Sequence, residues 1–134
     1  MLTDQYRLKK VRDFNMLMER GRWAGGALFT VKWLKLADPG IRLPKAIGAG
    51  PELKKFIEQL RFAFVVGLKV SKKAVERNRL KRQMREVVRL MIKDGRVKSG
   101  FYVMVVAKGE ALGKEYGKIE KEIEGLLKRI GVAS

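Results

Sequence analysis

FAFVVGLKV at residues 62–70, SKKAVERNRLKRQMREVVRLMIK at 71–93 and FYVMVVA at 101–107 decide the fold of this chain. The outer two are nearly continuous apolar runs rich in Val and Phe, as expected of strands buried in the middle of a sheet. Between them Leu80, Met84, Val87, Val88 and Met91 recur at helical spacing, which predicts a helix over Val75 to Lys93 that Asp94-Gly95 ends.

Outward from this core, residues 1–9 read as an extended arm. A helix follows from about Lys10 to Arg20, striped by Val11, Phe14, Leu17 and Met18 and stopped by Gly21. Gly25-Gly26 marks a loop, and Ala27 to Leu36 is rich in β-formers. Asp38-Pro39-Gly40 signals a turn, and residues 37–52 hold all three prolines, so this stretch reads as irregular. Pro51 to Leu60 suits a short helix, with Pro at its start and Leu53, Phe56, Ile57 and Leu60 on one face. Tyr116, Ile119, Ile123, Leu126, Leu127 and Ile130 stripe a last helix that Gly131 closes. The order predicts an α+β domain, a mixed sheet covered by helices. One domain spans 1–134, interrupted by an insertion at about 37–60.

The chain has 31 Lys and Arg against 14 acids, a net charge of +17. Such an excess repels itself and is tolerated when a polyanion neutralises it. There is no Cys and no His, which removes disulfides, thiolate metal sites and the commonest general base. A cytosolic location fits. The first ten residues lack a signal-peptide apolar region, and apolar runs such as Phe62 to Leu68 are far too short to span a bilayer.

The charge concentrates on the long helix. Lys69, Lys72, Lys73, Arg77, Arg79, Lys81, Arg82, Arg85 and Arg89 face only Glu76 and Glu86 in the same stretch. Helical spacing sets Arg77, Lys81 and Arg85 in one row, with Asn78, Arg82 and Arg89 alongside. Arg forks bind phosphate oxygens in pairs and stack on bases, so this ridge suits nucleic acid. The competing reading is an ordinary solvated helix face. The scarcity of acids to pair with weakens it. A membrane-surface helix is disfavoured because the apolar stripe has a sheet to cover and no Trp-rich edge.

Val70-Ser-Lys-Lys73 followed by Ala74-Val-Glu-Arg-Asn-Arg-Leu-Lys-Arg-Gln-Met-Arg-Glu86 resembles the signature of the bacterial ribonuclease P protein family. Arg7-Leu-Lys-Lys10, Asp13-Phe14 and Gly21 resemble its N-terminal segment. The likeness runs from about residue 6 to 130, outside 37–60. It implies a two-layer α/β sandwich with a left-handed βαβ crossover, like the second domain of a small-subunit ribosomal protein.

The resemblance also implies contact with a catalytic RNA through Lys72, Lys73, Arg77, Asn78, Arg79, Lys81, Arg82, Arg85 and Arg89. Asn78 equally suits a helix start. A cleft between the first helix and the sheet would hold the single-stranded 5′ leader of precursor tRNA, with Arg7, Lys9, Lys10, Phe14, Met18, Lys32 and Lys69 as its candidates. Stacking flanked by positive charge holds a strand without reading its sequence. Two positions where family members often carry aromatics are Met18 and Lys32 here. About three residues common in the family are missing between Lys73 and Ala74.

No motif of clustered carboxylates for metals appears. The resemblance implies catalysis by the RNA subunit with Mg²⁺, with no catalytic residue and no tightly held cofactor in the protein, while the net charge suggests a free protein that is a monomer or a weak associate. Rival readings are a ribosomal or chaperone-like RNA binder, a DNA-binding module using the 75–93 helix, and a self-contained metal nuclease.

Overall fold

The computed structural model describes residues 2–38, 43 and 48–134. In chain order its elements are α1 (Val11–Arg20), β1 (Arg22–Gly25), β2 (Phe29–Lys35), α2 (Pro51–Ile57), β3 (Leu60–Val65), α3 (Ala74–Lys93), β4 (Phe101–Ala107) and α4 (Tyr116–Arg129). The strands form one sheet in the order β1-β2-β4-β3. β2 pairs antiparallel with β1 and β4, while β3 and β4 run parallel, joined through α3.

Both faces of the sheet are covered, which explains the unbroken apolar run of β4. On one face Leu80, Met84, Val87, Val88 and Met91 of α3 and Ile119, Ile123, Leu126 and Leu127 of α4 pack on Phe29, Val31, Phe62, Val103 and Val105. This is the α+β sandwich with a mixed sheet expected from the sequence. On the other face α1 and α2 add a partial layer, where Leu8, Met16, Leu17 and Phe56 meet Leu34, Ala63, Tyr102 and Met104. The insertion helix α2 therefore extends the core. Phe56 meets Tyr102 edge-on at 6.0 Å, and the Arg12 guanidinium lies 5.4 Å from the Phe56 ring centre.

Several boundaries differ from the sequence reading. Arg22–Gly25, read in part as a loop, is a strand because its backbone pairs with Thr30–Trp33. α2 stops at Ile57, and Leu60 joins β3 opposite Phe101. β3 ends at Val65, where its pairing with Val106 ends, and residues 66–73 turn back towards α3. The arm is not simply extended: Asp4–Tyr6 make a 3-10 turn. Arg7 then bridges Phe62 in parallel, and Leu8 N donates to Phe62 O at 2.8 Å. The Asp38-Pro39-Gly40 turn lies largely outside the described residues.

The β1–β2 turn is anchored from α4. One Glu122 carboxylate oxygen accepts the backbone N–H groups of both Leu28 and Phe29, each at 2.6 Å. Lys108 Nζ donates to Gly26 O and Arg129 to Gly25 O, both at 2.6 Å. Turn amides without strand partners thus receive a charged acceptor, and the turn carbonyls receive cations.

Candidate nucleic-acid interface

The α3 stripe that packs on the sheet fixes where its cations point. Asn78, Arg79 and Arg82 are exposed, as are Lys72 and Lys73 just before the helix, while Arg77, Lys81, Arg85 and Arg89 are half-buried on its flanks. α3 begins at Ala74, four residues before Asn78, so Asn78 is an exposed helical residue and not a cap. The short approach to the helix is knotted tightly. Ser71 Oγ accepts the Lys73 N–H at 3.1 Å and donates to Glu76 at 2.6 Å, while Arg77 donates to Ser71 O at 3.0 Å. Lys72 and Lys73 are thereby displayed on an ordered loop.

The ridge is not uniformly available. Arg89 grips Glu86 with two hydrogen bonds, at 3.0 and 2.6 Å. That contact holds the Glu86 carboxyl below its ordinary range and raises Arg89. Arg85 turns towards the β3 edge. There it joins Arg7, Leu8, Lys9, Phe14, Phe62, Ala63 and Phe64 around a cleft of about 240 Å³. Burial, and then the nearby Arg7 charge, lower the Arg85 ionisation. Two guanidiniums crowded beside aromatic rings gain from an anion placed between them. Arg85 thus belongs both to the helix ridge and to the α1 side of the sheet, a placement its helical spacing did not reveal.

The face under α1 follows from strand register. Side chains alternate along a strand, so Trp23, Lys32, Met104 and Ala63 form one cross-strand row, and Gly25, Thr30, Val106 and Val65 the next. α1 lies over the first row. In the second, Thr30 and Val106 stay half-buried and Val65 exposed. Beside them lie half-buried Phe14 and exposed Met18 on α1. Together they form a largely apolar, incompletely covered strip of the sheet beside α1.

The remaining leader candidates fall into three kinds. Lys10 and Lys69 are exposed, Lys10 at the start of α1 and Lys69 in the turn after β3. Lys9 pairs with Asp4 at 3.0 Å, a bond that lowers the Asp4 carboxyl, and Arg7 reaches Asp4 at 3.9 Å. Lys32 is only 5 % exposed. Its Nζ donates to Met18 O at 2.5 Å and lies 5.0 Å from the Trp23 ring centre. It caps the negative end of α1 and orients a tryptophan, so its charge already has partners. Three residues of this sheet face escaped the sequence reading: Trp23, Val65 and Val106. Only the tryptophan, unusual two residues before a glycine pair, offered any signal.

Among the described residues no three acids gather to hold a metal ion, and no helix is long and apolar enough to cross a membrane. Asp13 is buried against Arg12 at 3.1 Å, and Glu124 pairs with Arg96 at 2.9 Å.

A family model described as Ribonuclease P matches residues 2–131. The ribonuclease P protein component of Exiguobacterium is 31% identical over 134 residues, covering 98% of this chain and 95% of that protein. Its counterpart in a Cyanothece strain is 30% identical, covering 95% and 93%. In fold, the chain is similar to the ribonuclease P protein of Staphylococcus aureus, with a TM-score of 0.71 at 23% identity over 96% of this chain and 98% of that one. The Thermotoga maritima protein gives 0.68 at 24% over 92% and 96%. Matched nearly end to end by the family model and by relatives of similar length, the chain belongs to the ribonuclease P protein family.

Proposed function

We propose that this chain serves as the accessory protein subunit of a bacterial, cytoplasmic ribonuclease P. It binds the catalytic RNA through the exposed crest of α3 and the loop before it, with Lys72, Lys73, Asn78, Arg79 and Arg82 leading. It holds the single-stranded 5′ leader of precursor tRNA on the strip beside α1, through Phe14, Met18, Arg7, Lys10 and Lys69. The observation that carries this reading is the junction at Arg85, where the cationic ridge runs round the β3 edge into an aromatic-lined cleft. A polyanion with one structured and one unpaired part fits such a surface.

Cleavage is the work of the RNA subunit and its Mg²⁺. In support, five acids among the described residues are engaged elsewhere: Asp4 with Lys9, Asp13 with Arg12, Glu86 with Arg89, Glu122 with the turn amides and Glu124 with Arg96. The protein supplies fixed positive charge that reduces the Mg²⁺ needed, and leader contacts that favour precursor over mature tRNA. With so large a net charge the free protein is a monomer.

The test is a cleavage assay at low Mg²⁺ with a bacterial ribonuclease P RNA and a leader-labelled precursor. The expected result is protein-dependent release of the leader at the mature 5′ end, and none from protein alone. Binding of structured RNA without stimulation across several catalytic RNAs would leave a ribosomal or chaperone-like protein.

A further inference from the structure

We infer that Trp23 is a stacking platform for an unpaired base of the precursor's 5′ leader, taking over where Met18 and Lys32 stand in place of aromatic side chains. The inference rests on the proposed leader-binding face and names a residue on it that no motif marks. A tryptophan on a folded surface usually buries most of its area, yet Trp23 is 51 % exposed. It is also held in place. Lys32 lies directly across the strand pair, with its ammonium 5.0 Å from the ring centre and hydrogen-bonded to the last turn of α1 through Met18 O.

One buried cation thus ties the ring, the sheet and the helix together. Ordering the ring in advance removes part of the entropy a ligand would otherwise lose in fixing it. Trp23 shares its cross-strand row with Lys32 and Met104, next to the partly exposed row of Thr30, Val106 and Val65. It therefore extends the exposed face beside α1 past Met18, itself 49 % exposed. The occupant that matches is a nucleobase. It has a flat face for the indole, its chain carries phosphates attracted by a +17 protein, and stacking on indole tolerates any base.

The experiment uses holoenzyme assembled from full-length protein and a ribonuclease P RNA. Trp33→Phe leaves Trp23 as the only fluorophore of its kind. Precursors whose leaders shorten one nucleotide at a time are then added, with mature tRNA as control. Trp23 fluorescence should be quenched by precursors down to one leader length and by neither shorter ones nor mature tRNA. In parallel, Trp23→Ala should weaken precursor affinity about tenfold, Trp23→Tyr should restore most of it, and the penalty should vanish at the same leader length. Mature-tRNA affinity should stay unchanged in both variants. Equal quenching by mature tRNA, or a Trp23→Ala penalty independent of leader length, would overturn the platform. If wild-type holoenzyme itself failed to prefer precursor over mature tRNA, the leader-binding reading would fall first, independently of Trp23.

Discussion

Removing the Glu122 carboxylate should cost more stability than removing any single cation from the α3 crest. Its Oε2 accepts two backbone N–H groups, from Leu28 and Phe29, across more than ninety residues of chain. Hydrogen bonds to a charged group contribute about 1.5–3 kcal/mol each. The site is half-buried, so water recovers part of that, and the lower figure for each bond gives a loss of about 3 kcal/mol for Glu122→Ala. With an unfolding entropy near 2.1 cal/mol/K per residue, a chain of this length should melt about 10 °C lower. Glu122→Gln keeps an acceptor oxygen without the charge and should lose about half as much. Calorimetry or urea unfolding measures the loss. Amide hydrogen exchange locates it: Leu28 and Phe29 should exchange faster, while Val103 in the sheet centre should keep its protection relative to global unfolding. A Glu122→Ala protein melting within about 2 °C of wild type, with the two amides still protected, would refute the claim that this carboxylate holds the turn.

Arg79→Ala/Arg82→Ala should lower catalytic-RNA affinity and reduce the slope of log K against log salt by about 1.5. Its urea midpoint should stay close to wild type, because both side chains are exposed; an unchanged salt slope would remove them from the interface. Lys32→Met should destabilise by about 1 kcal/mol, since the lost helix-end contact and cation–π contact exceed the relief of burying an ammonium. A more stable Lys32→Met protein in urea would show that desolvation wins. Tyr102 is a buried phenol whose ionisation is pushed up by burial first and then by the Asp13 charge. A raised folded-state pKa means that its contribution is complete below about pH 10 and is lost as pH rises through the folded value. Tyr102→Phe should therefore flatten the loss of stability above that pH, as read from urea midpoints at pH 9 and 11.

Periodic apolar residues made most of the fold legible. Leu80, Met84, Val87 and Met91 define α3 because a 3.6-residue repeat has one buried face, and the β4 run reflects two covered faces. Boundaries set by pairing partners were less legible. Leu60 continues the helical spacing of Leu53 and Phe56, yet hydrogen bonding beside Phe101 draws it into β3. Four residues ending in glycine carry no strand pattern of their own, and β1 exists because β2 offers it a partner. In the site, the exposed α3 cations were readable from helix phase. The duties of Lys32, Arg85 and Arg89 were not, because each depends on a neighbour set by register, by the sheet edge or by side-chain rotamer.

The N-terminal arm has a consequence for assembly of the chain itself. Leu8 lends its N–H to Phe62 O, and Arg61 donates to the carbonyl of Arg7 at 3.0 Å. The arm is thus pinned along the outer rim of β3. Without it, an apolar strand of Phe62-Ala-Phe-Val65 would present open hydrogen-bonding groups to other molecules, an invitation to strand-by-strand aggregation. The opposite rim is a strand of only four residues that ends in glycine, a poor template for addition. During synthesis the arm precedes its docking strand by more than fifty residues. The rim is therefore exposed until the ends of this loop meet, and trimming residues 1–8 should make the chain more prone to aggregate as it folds.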